Sequence, residues 1–82
     1  MTDIGRMLKE ERLARGLEIR ELAKQTCISV RYLQAMEDGR FQTIPNVYDK
    51  GYLKLYARAL HMDAARILAL YDEFKRTNVP QH

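Results

Sequence analysis

The sequence is poor in the residues from which catalytic and metal sites are built. Its 82 residues include one cysteine, Cys27, and two histidines, His61 and His82. One cysteine cannot form an internal disulfide. The two histidines are far apart, so no metal cluster or catalytic triad can be assembled around them. No glycine-rich phosphate-binding loop is present either. We therefore expect no enzymatic activity, no metal and no other cofactor.

Long apolar runs are also lacking. The longest, from Ile67 to Tyr71, is far shorter than the roughly 20 residues that a membrane-spanning helix needs. The period-two alternation that is typical of strands is missing as well. A chain of 82 residues forms one domain, and its small core leaves no room for a deep catalytic cleft.

What the sequence does contain is apolar residues at spacings of three and four, which predict helices throughout. We expect an all-α fold, namely a five-helix domain with a repressor-like (Cro/C1-type) helix-turn-helix. Suitable N-caps are Thr2 or Asp3 for the first helix, Ser29 for the third and Asp63 for the fifth. The domain is expected over residues 1–76, with a flexible C-terminal tail over 77–82. The predicted helices cover about 3–15, 18–25, 30–38, 47–60 and 64–75.

The second and third helices have the pattern of a helix-turn-helix. Ile28 lies between them as a buried plug, and Gly39 follows the third helix where a left-handed cap is expected. Cys27 occupies the turn position where glycine is usual, which predicts some backbone strain. A small turn residue is the favoured interpretation of Cys27, and a reactive thiol is the alternative.

Arg12 and Glu37 have the spacing of a conserved pair in repressor-type domains. Arg12 precedes Gly16 by four residues, and Glu37 precedes Gly39 by two. We expect a partly buried salt bridge between the first and third helices, which would fix their register. The alternative is two unrelated surface charges.

DNA recognition by the third helix is only weakly supported. The residues expected to reach base edges are Val30, Arg31 and Ala35, and of these only Arg31 can bind guanine in a bidentate manner. The motif is also electrically neutral, and a neutral unit should bind duplex DNA weakly or not at all. Its charges between residues 18 and 40 cancel: Arg20, Lys24, Arg31 and Arg40 against Glu18, Glu21, Glu37 and Asp38.

The fourth helix carries tyrosines four residues apart, at Tyr48, Tyr52 and Tyr56, which places them on one stripe. Such a stripe is either the edge of the core or a protein-docking face. Tyrosine is enriched in interface hot spots, and Lys50 and Lys54 would supply a polar rim. Alternatively, these lysines are simple solvated charges.

Three segments together give a more specific resemblance: ISVRYLQAMEDGRF, then IP, then YDKGYLKLYA. Over roughly residues 3–71 the sequence resembles the N-terminal cytoplasmic helix-turn-helix domain of the RodZ family of bacterial cell-shape proteins. The resemblance implies a five-helix adaptor domain that binds the actin-like filament protein MreB. Through a single transmembrane helix, the family couples MreB to the wall-synthesis machinery and so maintains rod shape.

The same resemblance implies a docking site on the fourth helix. An aromatic pair four residues apart would contact the filament subunit, and the resemblance assigns this role to Tyr52 and Tyr56, with Lys50 and Lys54 supplementing the contact. The family's transmembrane helix does not occur in these 82 residues. Location at the cytoplasmic face of the inner membrane is therefore an implication of the resemblance alone. A sequence-specific DNA-binding regulator that uses Val30, Arg31 and Ala35 remains the alternative.

Overall fold

The computed structural model describes residues 3–78, which form five α-helices and no strand. The all-α, five-helix fold is thereby confirmed. The last helix includes Thr77 and Asn78, which were expected in the tail, while the remaining tail positions, 79–82, lie outside the described residues. A short 3₁₀-helix, Phe41–Thr43, connects the third and fourth helices. The α-helices are α1 (Ile4–Ala14), α2 (Ile19–Thr26), α3 (Val30–Glu37), α4 (Asp49–Ala59) and α5 (Ala64–Asn78).

The helices begin where the capping residues predict. Side chains of Asp3, Ser29 and Asp63 each accept a hydrogen bond from the backbone N–H three residues later, at 3.0, 3.4 and 3.2 Å. Each bond satisfies a backbone donor that the first turn of a helix leaves unpaired. At the start of α2 the acceptor comes from inside the first turn, because Glu21 accepts from the backbone N–H of Glu18 at 3.3 Å.

One hydrophobic core is formed by side chains from all five helices. Ile28 is buried between α2 and α3 as predicted, and Phe41 and Ile44 of the connection to α4 are buried in the same core. Leu13 on α1, by contrast, is 57% exposed. None of the helices between residues 3 and 78 has both the length and the apolar character needed to cross a membrane. The core consists of Ile4, Leu8, Leu22, Ile28, Leu33, Met36, Phe41, Ile44, Leu53, Tyr56, Ala57, Leu60, Ile67 and Tyr71.

Two backbone positions fix the arrangement of the first three helices. At Gly5, a Cβ atom would lie 2.5 Å from the carbonyl oxygens of Met36 and Glu37, so only glycine lets α1 pass so close to α3. Cys27 ends α2 with a φ of 59°, in the left-handed region, and its side chain is exposed. The strained turn predicted at Cys27 is confirmed, since residues with a Cβ atom disfavour this conformation.

Candidate protein-docking site

Tyr56, which was predicted to dock on a partner, lies in the core instead. Its side chain is 0% exposed, and its hydroxyl donates a hydrogen bond to Oε2 of Glu37. Burial, followed by this hydrogen bond to a carboxylate, raises the pKa of Tyr56 above its usual value, so the phenol stays protonated and remains a donor. The prediction that Tyr56 lies on the surface is wrong, because no part of the ring is accessible to a partner while the domain is folded.

Glu37 is the centre of a buried polar cluster that joins three helices. The guanidinium of Arg12 binds it in a bidentate manner, with Nε 2.7 Å from Oε2 and Nη2 3.1 Å from Oε1. The side chains of Arg12 and Glu37 are only 13% and 5% exposed. The predicted salt bridge is therefore confirmed. Tyr56 is a third member that was not predicted from the sequence, and it ties α4 to α1 and α3.

The accessible part of the tyrosine stripe is formed by its first two members, Tyr48 and Tyr52, which we call the tyrosine pair. Tyr48 is 51% exposed, and Tyr52 is half-buried one turn later. Their rings stack, with centroids 5.5 Å apart and an interplanar angle of 10°. Val47 and Leu55, which are 83% and 45% exposed, add aliphatic surface before and after the pair. Large apolar side chains exposed together in this way are typical of binding surfaces.

The inner ring of the pair is held by α3. Tyr52 packs against Tyr32, with ring centroids 5.8 Å apart, and both side chains lie against the core. Tyr48 then stacks on the outer side of Tyr52. A partner would therefore meet a tyrosine pair whose inner member is already fixed, which lowers the entropy lost on binding.

Lys50 and Lys54 do not surround the tyrosine pair. Each follows one of these tyrosines by two residues, which places it on roughly the opposite flank of the helix. Lys50 faces α5, where its Nζ lies 2.8 Å from Oδ1 of Asp72. Lys54 is exposed, and no ion pair to another described residue is formed by it. The rim arrangement is wrong, whereas a binding role for either lysine stays a prediction.

A second polar cluster fixes the start of α4 against α5. Asp49 is 3% exposed, and its Oδ2 accepts from the Tyr71 hydroxyl at 2.6 Å and from Nζ of Lys75 at 3.1 Å. Burial opposes the charge on Asp49, but these hydrogen bonds, with one from the Lys50 backbone, outweigh it. The pKa of Asp49 consequently lies below its usual value. Helix α4 is thus held by one buried carboxylate near each end.

The three residues predicted to contact DNA bases differ in how exposed their side chains are. Arg31 is exposed and Val30 is half-buried, but Ala35 is 3% exposed and belongs to the core. Ala35 cannot contact a base edge, because it packs inside the domain. Among residues 3–78, no group of three or more His, Cys, Asp or Glu side chains could hold a metal ion.

A family model described as a helix-turn-helix domain matches residues 7–67. The chain belongs to this helix-turn-helix family. It is 39% identical over 70 residues to the "Cytoskeleton protein RodZ" of Streptococcus pneumoniae, a stretch that covers 84% of this chain and 25% of that protein. The expected likeness to RodZ is confirmed, and the chain spans about a quarter of that relative's length.

A solved structure with the same fold extends this relationship within the helix-turn-helix family. It is YmfM from Staphylococcus aureus, which was proposed to be a DNA-binding membrane protein. The two share 25% sequence identity, with a TM-score of 0.81 over 88% of this chain and 89% of that one. The likeness extends over nearly the whole of both chains, so it includes the helices beyond the helix-turn-helix itself.

Proposed function

We propose that this chain is the adaptor domain of a cell-shape protein and binds the actin-like filament protein MreB. Its similarity to a cytoskeleton protein supports the class of partner. The full protein would couple the filament to the cytoplasmic face of the inner membrane and to the wall-synthesis machinery. Membrane attachment would come from a transmembrane helix outside these 82 residues.

The observation that carries this proposal is the exposed tyrosine pair on α4. The resemblance calls for two aromatic residues four positions apart, and Tyr48 and Tyr52 meet that requirement on the surface. Because Tyr56 is buried, the proposed docking pair is Tyr48 and Tyr52 instead of Tyr52 and Tyr56. The role of Tyr56 is to position α4 through Glu37.

Binding would bury the outer ring of the pair in a groove of the filament subunit. Stacked tyrosines supply apolar area, and each hydroxyl can still form a hydrogen bond at the edge of the interface. Lys54, on the other flank of α4, would orient the partner through charge. Lys50 could do the same only by leaving its ion pair with Asp72, so we assign it the smaller share.

Co-sedimentation with polymerised MreB tests the proposal. Tyr48→Ala should weaken binding by about 1 to 3 kcal/mol, or roughly 5- to 150-fold in Kd, because hot-spot aromatic residues contribute that much. Leu13→Ala is the matched control, since Leu13 is a large apolar residue of similar exposure on α1. Equal binding by wild type and Tyr48→Ala would disprove the docking site, and no binding by wild type would disprove the partner.

DNA binding through α3 remains the second candidate, and it is favoured by the helix-turn-helix geometry and by the suggestion made for YmfM. Arg31 is its exposed residue, and the motif around it has no net charge. A salt titration with random and selected duplex DNA separates the two functions. Tight, sequence-selective binding that is lost in Arg31→Ala, without filament binding, would establish DNA recognition instead.

A further inference from the structure

Gly51, an exposed residue in the first turn of α4, has no structural need to be a glycine. A Cβ atom built on Gly51 would meet no atom within 4 Å. Its φ is not in the left-handed region, unlike those of Gly16 and Gly39. Alanine would fit there and would favour the helix. The fold of the described residues therefore does not explain why position 51 lacks a side chain.

Gly51 forms a gap between two rows of side chains. Tyr48 and Tyr52 stand on one flank of the helix, and Lys50 and Lys54 stand on the other. Rows of residues four apart form the ridges of a helix surface, and a ridge of a second helix packs into the space between them. Without a Cβ atom at Gly51, the main chain of such a helix can approach α4 closely.

The exposed charges along this side of α4 all have one sign. Its acidic residue, Asp49, is buried and bound to Tyr71 and Lys75. Lys54 and Arg58 are exposed, and neither forms an ion pair within residues 3–78. They lie three and seven residues after Gly51, so the three residues share one stripe. A partner surface complementary to these two positive charges would be acidic.

We propose that Gly51, Lys54 and Arg58 extend the docking surface beyond the tyrosine pair and receive an acidic helix of the filament subunit. The main chain of that helix packs against Gly51, and its carboxylates pair with Lys54 and Arg58. This inference rests on the proposed function and adds two contact residues, Gly51 and Arg58. It also predicts that the contacting helix of the partner is acidic.

Gly51→Ala tests the close approach. The variant should fold with an unchanged or higher Tm, because the added methyl group points into open space. Its binding to polymerised MreB should be at least about tenfold weaker, since a methyl group inserted into a packed contact is poorly tolerated. Ala14→Leu is the control for added bulk, because Ala14 is exposed on α1.

Arg58→Glu tests the acidic partner. Binding should fall at least about tenfold at low salt, and the difference from wild type should shrink as salt is raised. Arg20→Glu changes the net charge by the same amount on α2, where Arg20 is exposed, and should leave filament binding unchanged apart from a general charge effect. Random duplex DNA is titrated in parallel with each variant.

The possible results distinguish the acidic-helix contact from filament binding through the tyrosine pair. Wild type that binds filaments and loses binding in Tyr48→Ala, Gly51→Ala and Arg58→Glu supports both. Loss in Tyr48→Ala alone keeps the docking site and overturns the acidic helix at Gly51. Equal losses in Arg58→Glu and Arg20→Glu overturn the acidic contact, as does an effect of Arg58→Glu on DNA binding only. Absence of wild-type filament binding disproves both.

Discussion

Tyr56 in α4 and Tyr48, the N-cap residue of the same helix, lie about two turns apart and have opposite surroundings. The ring of Tyr56 is 0% exposed and hydrogen-bonded to Glu37, whereas that of Tyr48 is 51% exposed and stacked on Tyr52. The first holds α4 in place, and the second is available to a partner. Residue type and spacing therefore do not assign a role on this helix, and the direction of each side chain relative to the core does.

The largest effect on stability should come from the inner side of the helix. Tyr56→Ala should lower the free energy of unfolding by about 3 to 5 kcal/mol, because it leaves a large cavity and removes a hydrogen bond from Glu37. Urea denaturation followed by circular dichroism measures this change. Tyr56→Phe keeps the ring and should lose only about 1 to 2 kcal/mol. A stable Tyr56→Ala domain that no longer binds filaments would reverse the assignment of the two tyrosines.

A smaller effect is expected at the Asp49 cluster, and it depends on pH. The pKa of Asp49 is lowered on folding, so its contribution to stability is complete above the unfolded pKa of about 3.9 and is lost as pH falls through the folded value. Asp49→Asn should cost about 1 to 2 kcal/mol at pH 7. The urea midpoints of variant and wild type should converge below about pH 4. A constant difference down to pH 2 would exclude this carboxylate as the cause.

The smallest effect on stability is expected at Tyr48, on the outer side of α4. Tyr48→Ala should change the free energy of unfolding by no more than about 0.5 kcal/mol, because the ring is half in solvent and contributes little to the core. The same urea titration measures it. A loss above about 2 kcal/mol would show that the tyrosine pair is part of the folding core, and the contrast with Tyr56 would disappear.

Local features of the fold could be predicted from sequence because they depend on nearby residues. The caps Asp3, Ser29 and Asp63 act on the backbone three positions away, and the strained turn at Cys27 follows from its place in the motif. Arg12 and Glu37 are distant in sequence, and their salt bridge was predictable only because repressor-type domains have such a pair at the same spacing from the two glycines.

The orientation of the tyrosine stripe was not predictable in the same way. A spacing of four residues turns about 40° around a helix, so the stripe drifts and its two ends differ by about 80°. Tyr56 therefore faces the core while Tyr48 faces outward. The sequence does not state which end turns inward. The position of Lys50 and Lys54 could have been predicted from the sequence. A spacing of two residues places a side chain on the opposite flank of a helix.

The two buried carboxylates give the domain a mechanical property. Helix α4 is held near both ends, by Glu37 toward α1 and α3 and by Asp49 toward α5, so a force on its outer side would be shared with the rest of the bundle. Removing α4 from the bundle would break the hydrogen bonds at both of these carboxylates. Under the proposed function, a filament bound to α4 would pull on α1, α3 and α5 through these two sets of hydrogen bonds.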